Sequence, residues 1–388
     1  MRFKSIVIPI SVIAMAMTWV PISTSAAGDQ VSEKSFLDRI HPFGDMRLRY
    51  EWDGGRWSGA DDRNRVRARF RIGAKIDVSD ELQGGFRIRT GNPDDPASPH
   101  QTFGGEFDSW DISLDRAYLK WSPNWAAGGS VAGGKMANPF KSNPVFGELV
   151  WDADINPEGG QIAYAWSQDR LSLRGTTGFW VLNLSGSETA TIFPLQISAQ
   201  YKASDDLKLE GAIGYYGYGN MANGGANNAS AYTRCGYRAG DTSCLGNALD
   251  AGGNFRSGFK IINAFASLSY TGLPADLTLV AEYIHNSDAF SSQDTGWAIG
   301  ANAKVSLMDR KHRFFYQYQD IEAEAVFAPM AQDDTQSIFS NFEGHIAGVD
   351  WALVKRVKLR TWGLFQKQIQ GGNDSWNKRV RIDVNVKY

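Results

Sequence analysis

The sequence predicts an all-β fold, a transmembrane antiparallel β-barrel of about sixteen strands with short periplasmic turns and long extracellular loops. Three observations predict it. Apolar and polar residues alternate with period two in segment after segment, which places each kind on its own strand face. Brief turns trade places with long polar loops along the chain, the asymmetry of outer-membrane barrels. Finally, the N-terminus has the layout of a secretory signal, yet no later segment reaches the roughly 20 apolar residues of a spanning helix.

The signal reading rests on basic Arg2 and Lys4, an apolar run from Ile6 to about Val20, and small residues from Ser23 to Ala27. Residues 1–26 are expected to be removed, making the formal net charge of -2 more negative by the charges of Arg2 and Lys4. Residues 27–44 are expected to form a short periplasmic segment, and 45–388 the barrel. An exported chain that enters a membrane without spanning helices must pair its backbone groups in a closed barrel. The 41 glycines, 12% aromatic residues and many short alternating runs agree with that. A negative net charge offers no nucleic-acid footprint.

In chain order, DMRLRYEW opens the series with Met46, Leu48, Tyr50 and Trp52 on one face and Asp45, Arg47, Arg49 and Glu51 on the other. RNRVRARFRI follows, with Arg63, Arg65, Arg67, Arg69 and Arg71 at every second position against Val66, Ala68, Phe70 and Ile72. A helix would scatter these arginines, whereas a strand aligns them in a row roughly 26 Å long at about 3.3 Å per residue. LQGGFRIRT repeats the theme with Arg87 and Arg89. Then come DRAYLKW, SVAGGKM, QIAYAWS, LSLRGTTGFWVL, PLQISAQY, LKLEGAIGYY, IINAFASLSY, LTLVAEYI, GWAIGANAKVS, FFYQYQDIEAE, HIAGVDWALV, VKLRTWGLF and RVRIDVNVKY. The last alternates Val380, Ile382, Val384, Val386 and Tyr388 with polar neighbours. A soluble sandwich would alternate too. Charge on consecutive polar faces, with aromatics near strand ends opposite, fits lipid-facing girdles instead. Tyr50, Trp52, Trp121, Trp166, Tyr201, Tyr270, Tyr283, Trp297, Trp351 and Tyr388 are the girdle candidates.

An Arg or Lys on the lipid face at the bilayer midplane costs about 2–4 kcal/mol, so the rows must face inward. Arg47, Arg49, Arg63, Arg65, Arg67, Arg69, Arg71, Arg87 and Arg89 would form one basic, pore-lining wall. A barrel of this size encloses water. Counter-charge is available from loop 138–160, where Glu148, Asp152, Asp154 and Glu158 outnumber Lys141; folded inward, it would constrict the pore. Alternatively, the arginines stitch the wall by hydrogen bonds to Asp45, Glu51 and loop carboxylates without selecting anything. Clustered oxygens in DADINPEG could take calcium, but the spacing is not that of an EF-hand loop, and no metal or cofactor is expected. Cys235 and Cys244, in a Gly/Asn/Ala-rich stretch of an exported chain, are expected to form a disulfide, with an unpaired state as the other reading.

The run RNRVRARFRIGAKIDVSDELQGGFRIRTGNP, with SLDRAYLKWSP, GGKMANPF and LVWDADINPEGG, resembles the putative porin family of Gram-negative bacteria, most densely over 43–166. The resemblance implies an outer-membrane diffusion channel for small hydrophilic solutes and ions, surrounded by membrane lipids and lipopolysaccharide, without enzymatic chemistry. By architectural likeness to general porins it also suggests an inward third loop and a homotrimer. The basic wall leaves open a substrate-specific channel for anions, organic acids or sugars. Two other classes stay open, a barrel hydrolase and an adhesin built on the cysteine loop. Against the first, His41, His100, His285, His312 and His345 fall in no catalytic or metal-ligand spacing.

Overall fold

A computed structural model describes residues 35–55, 61–185, 188–221, 227–336, 338–372 and 375–388. The expected signal segment 1–26, and residues 27–34 of the segment after it, lie outside the described residues. Each alternating run becomes a strand. In order these are β1 (Ile40–Gly54), β2 (Arg63–Asp77), β3 (Leu82–Thr90), β4 (Ile112–Trp121), β5 (Gly129–Lys135), β6 (Glu158–Gln168), β7 (Leu171–Ser185) and β8 (Glu188–Lys202). There follow β9 (Leu207–Gly219), β10 (Lys260–Tyr270), β11 (Ala275–Asn286), β12 (Thr295–Leu307), β13 (Arg310–Ile321), β14 (Phe342–Val354), β15 (Val357–Gln368) and β16 (Asn377–Lys387).

Each strand pairs antiparallel with its chain neighbours, and β1 pairs with both β2 and β16, which closes the barrel. Along most of its length the closed sheet pairs its backbone groups between strands, as a bilayer requires. Among the described residues no helix is long and apolar enough to span a membrane. A two-residue strand, Gln101–Thr102, brings loop 91–111 back onto Arg67 and Ala68 of β2. The periplasmic-type turns are short, as at 169–170, 308–309 and 355–356, and both barrel ends of the chain lie on that side.

The faces divide as charge and apolarity demand. Met46, Leu48, Tyr50, Val66, Phe70 and Ile72 are exposed on the outer surface, while Arg49, Glu51, Asp53, Arg69, Arg87 and Arg89 are buried inside. Of the girdle aromatics, Trp121, Trp166, Tyr201, Tyr270, Tyr283, Trp297 and Tyr388 are likewise exposed. β1 begins earlier than the alternation suggests: His41–Gly44 carry no period-two pattern, yet their backbones pair with Lys75–Ile72 of β2. Part of the expected periplasmic segment is therefore barrel wall.

The extracellular half of the barrel is not hollow. Trp180, Ile192, Tyr216, Tyr218, Ile261, Ile284, Ile321 and Phe342 of β7–β14 turn inward onto Trp151, Phe255 and Phe327 from three different loops. Rings stack edge-on there, as in Trp151–Tyr216 at 5.5 Å and Phe259–Phe327 at 5.1 Å between centroids. This apolar core holds the long loops inside the mouth. The Cys235–Cys244 disulfide and a two-stranded ribbon, Ser243–Cys244 with Asn247–Ala248, lie in the loop between β9 and β10.

Candidate functional site

Cross-strand register sets the charged wall. Asp45, Arg47, Arg49, Glu51 and Asp53 of β1 stand opposite Arg71, Arg69, Arg67, Arg65 and Arg63 of β2, and opposite Lys387, Asn385, Asp383, Arg381 and Arg379 of β16. Arg49 donates to Asp383 at 2.6 Å, Arg381 to Glu51 at 2.6 Å, and Arg379 and Arg63 both to Asp53 at 2.6 Å. Arg65 is paired with Glu51. Asp45 is shared by Arg69 at 2.7 Å and Arg71 at 2.8 Å. On the next two strands, Arg87 donates to Asp115 at 2.5 Å. Like charges stand side by side because carboxylates on the flanking strands interleave with them.

The loop between β5 and β6, residues 136–157, crosses the lumen and is tied to both sides. On the basic side Asp154 accepts from Arg69 at 3.4 Å and pairs with Arg71, and Asn156 accepts from Arg116 at 2.6 Å. On the far side Asn143 donates to Glu282 at 2.9 Å and Gln317 at 3.0 Å, and Arg313 donates to the Val145 carbonyl at 2.6 Å. Val145 and Phe146 pack into an apolar cluster with Phe315 and Trp362. A second loop, 322–341, meets the first from the extracellular side. Asp152 donates its backbone N–H to the Met330 carbonyl at 2.9 Å and accepts from the Asp333 N–H at 3.2 Å, while Asp334 pairs with Arg381.

Between wall and loops lies a cavity of about 520 Å³. One side presents Arg47, Arg49, Arg69, Arg71, Arg87, Arg116, Lys358 and Arg360; the other presents Glu148, Asp152, Asp154, Asp333 and Asp334. Burial, reinforced by Asp334 and Asp154, pushes Glu148 well above the usual carboxylate range, and burial with Asp333 and Glu148 does the same to Asp152. Burial and Asp334 also raise Asp333. At Asp154 burial acts upward but is overcome by Arg69 and Arg71, which bring it down to about 2. The arrangement sets a row of guanidinium groups opposite a cluster of carboxyl groups across the cavity.

Of the nine arginines read from the sequence, Arg47, Arg49, Arg69, Arg71 and Arg87 line this cavity. Arg63 and Arg65 lie on the same inner face, taken up by Asp53 and Glu51. Arg67 and Arg89 are covered by loop 91–111, donating to Ser98 at 3.0 Å and to the Asp95 carbonyl at 2.7 Å. Asp154 meets the wall and Glu148 and Asp152 face it across the cavity, but two residues expected with them do neither. Lys141 turns to Glu210 at 2.6 Å, beside an adjoining cavity of about 270 Å³ on the other side of the crossing loop's Glu148 and Asp152. Glu158 is not in the loop at all: its backbone pairs with Lys135 to open β6, its carboxylate bonds the Lys135 ammonium at 2.5 Å, and its side chain is 60% exposed. The reading missed Arg116, Lys358, Arg360, Asp333 and Asp334. Closure of the barrel would have shown that the inner face of β16, with Arg379 and Arg381, extends the wall.

The family model for putative porins matches residues 56–269, more than half of the chain. No curated protein matches in sequence. Among solved structures, the fold resembles Pseudomonas putida OprB at high pH, with TM-score 0.60 and 13% identity over 91% of this chain and 95% of that one. It also resembles Salmonella typhi OmpF in complex with daunomycin, with TM-score 0.52 and 14% identity over 90% and 97%. A Vibrio cholerae OmpT lacking loop L8 gives TM-score 0.50 and 13% identity over 90% and 99%. With its closed sixteen-stranded wall and this family match, the chain belongs to the putative porin family and is an outer-membrane porin.

Proposed function

We propose that the barrel passes small hydrophilic solutes and ions by passive diffusion through the gap between the basic wall and loops 136–157 and 322–341. The observation that carries this is the opposition of charged rows across one cavity. Such a transverse field orients dipolar solutes, while the loop crossing limits size. Nine basic and seven acidic side chains line the gap, so a mild anion preference follows. Arg47, bonded to neutral Asn385 at 2.6 Å, is one cation there whose charge is directed at solutes.

Planar-bilayer recordings in a salt gradient test the reading. A water-filled channel gives ohmic conductance with a reversal potential on the anion side, and Arg47→Gln with Lys358→Gln moves it toward cations. Absence of conductance rejects the channel; an unmoved potential rejects the role of these two cations. The balance of bases favours, as a second reading, a channel specific for anions or organic acids, which would show saturable block by its solute. The proposal assigns no catalysis, and lipase and protease assays on the folded barrel check that. A homotrimer belongs to the same reading, and cross-linking in detergent checks it.

A further inference from the structure

One seam of the barrel is open. The β13–β14 register stops at Arg313 opposite Asp350, although β13 continues to Arg310 and β14 to Val354. Those ends stay bonded to their other neighbours, β12 and β15. β14 also carries a bulge between Ala352 and Val354, which leaves Leu353 without a partner on β15 and bends the strand. In place of the missing ladder, the Ala352 N–H donates to His312 Nδ1 at 3.3 Å, and His312 Nε2 donates to the Leu307 carbonyl at 3.1 Å.

The parted strands form a groove of about 590 Å³ lined by Leu307, Met308, Arg310, Trp351, Leu353 and Leu359. It opens on the outer surface, beside Phe314, whose ring lies 5.9 Å from that of Trp351. It also lies at the short-turn end, so the medium that meets it is the periplasmic leaflet. Met308 and Asp309 hold positive φ of 52° and 56°, the turn a two-residue hairpin favours, and Met308 is 86% exposed. The rim is basic, with Arg310, Lys355 and Arg356 exposed against Asp309.

We propose that this groove binds one anionic glycerophospholipid of the periplasmic leaflet, an acyl chain lying against Trp351 and Leu353 and the headgroup at Arg310 and the 355–356 turn. An apolar trough gives little preference by itself, because any lipid chain fills it. The basic rim supplies the selection, and one such charge corresponds to about fivefold in affinity.

The test uses the refolded full chain in phosphatidylcholine vesicles doped with chain-brominated phosphatidylglycerol or chain-brominated phosphatidylcholine. The Trp351→Phe difference isolates one ring among 13 tryptophans. Half-quenching of Trp351 is expected at a mole fraction of the brominated phosphatidylglycerol at least about fivefold lower, and Arg310→Gln should narrow that difference by about fivefold. If Arg310→Gln does not refold, Lys355→Gln in the exposed turn should narrow the gap. Equal half-quenching by both lipids in the unaltered chain would overturn the proposal. Protection of Trp351 from both would also overturn it, and would point to a second barrel covering the seam. Neither readout depends on conductance.

Discussion

From β16 through β4 the inner wall is held by ion pairs, whereas between β7 and β14, at the extracellular mouth, the same kind of inward face is held by aromatic and aliphatic packing. The difference lies in what each side chain demands. Glu51, with no exposed surface, serves Arg65 and Arg381 together; if it is lost, Arg381 keeps Asp334 and Arg65 keeps only Asp53 at 3.9 Å, and the buried carboxylate between them is gone. Leu149 or Ile284 needs only volume and apolarity, which several neighbours supply. One half of the interior is therefore specific in partner and the other in size.

The largest expected effect is on the charged half. Glu51→Gln leaves two inward guanidiniums short of charge and should cost about 3–5 kcal/mol, read as a lowered urea midpoint of the folded barrel. A loss under about 1 kcal/mol would mean that lumen water replaces the partner and that the contrast between the halves is false. In the apolar half, Leu149→Ala should cost about 2–5 kcal/mol by the same measurement, while Leu149→Met should cost less than about 1.5. Equal costs for both would show that this region, too, depends on identity. Next, Asn143 joins the crossing loop to buried Glu282 and Gln317, so Asn143→Ala should cost about 1–3 kcal/mol and make single-channel current noisier. A quiet current would show that the packing of Val145 and Phe146 alone secures the loop.

The smallest expected effect is a pH response of the loop carboxylates. Glu148, Asp152 and Asp333 are raised above their ordinary values, so their ionisation opposes folding at higher pH and their protonation relieves this as pH falls. Asp154 has the opposite sign. Lowered from 3.8 to about 2, it contributes above the unfolded value and loses that contribution only as pH drops through about 2. Acidification through the range above the ordinary carboxylate values thus removes negative charge from the loop side of the cavity while Asp154 keeps its own. Reversal potentials should move toward anions over that interval; movement toward cations would contradict these directions.

The strands and the inward turn of the arginines were legible because period-two alternation and the cost of charge in lipid are local properties. All sixteen alternating runs stand as strands, and the acidic stretch around Asp152 and Asp154 was marked by composition. Arg116, Lys358 and Arg360 were not found, because their strands carry only two or three bases and no long alternating row. Asp333 and Asp334 come from a loop with no periodicity, placed by contacts such as Asp152 with Met330 that join segments far apart in the chain. Phe327 and Trp151 read as loop aromatics, and only their meeting makes a core.

The order of signs where the two ends of the barrel meet bears on how the protein is assembled. Arg49, Glu51 and Asp53 face Asp383, Arg381 and Arg379; a two-residue slip one way sets Arg49 against Arg381, and the other way sets Glu51 against Asp383. A one-residue slip turns guanidiniums toward the acyl chains. Completion of the cylinder therefore proofreads its own alignment, and a terminal strand offered by an unrelated polypeptide would be rejected at the last join.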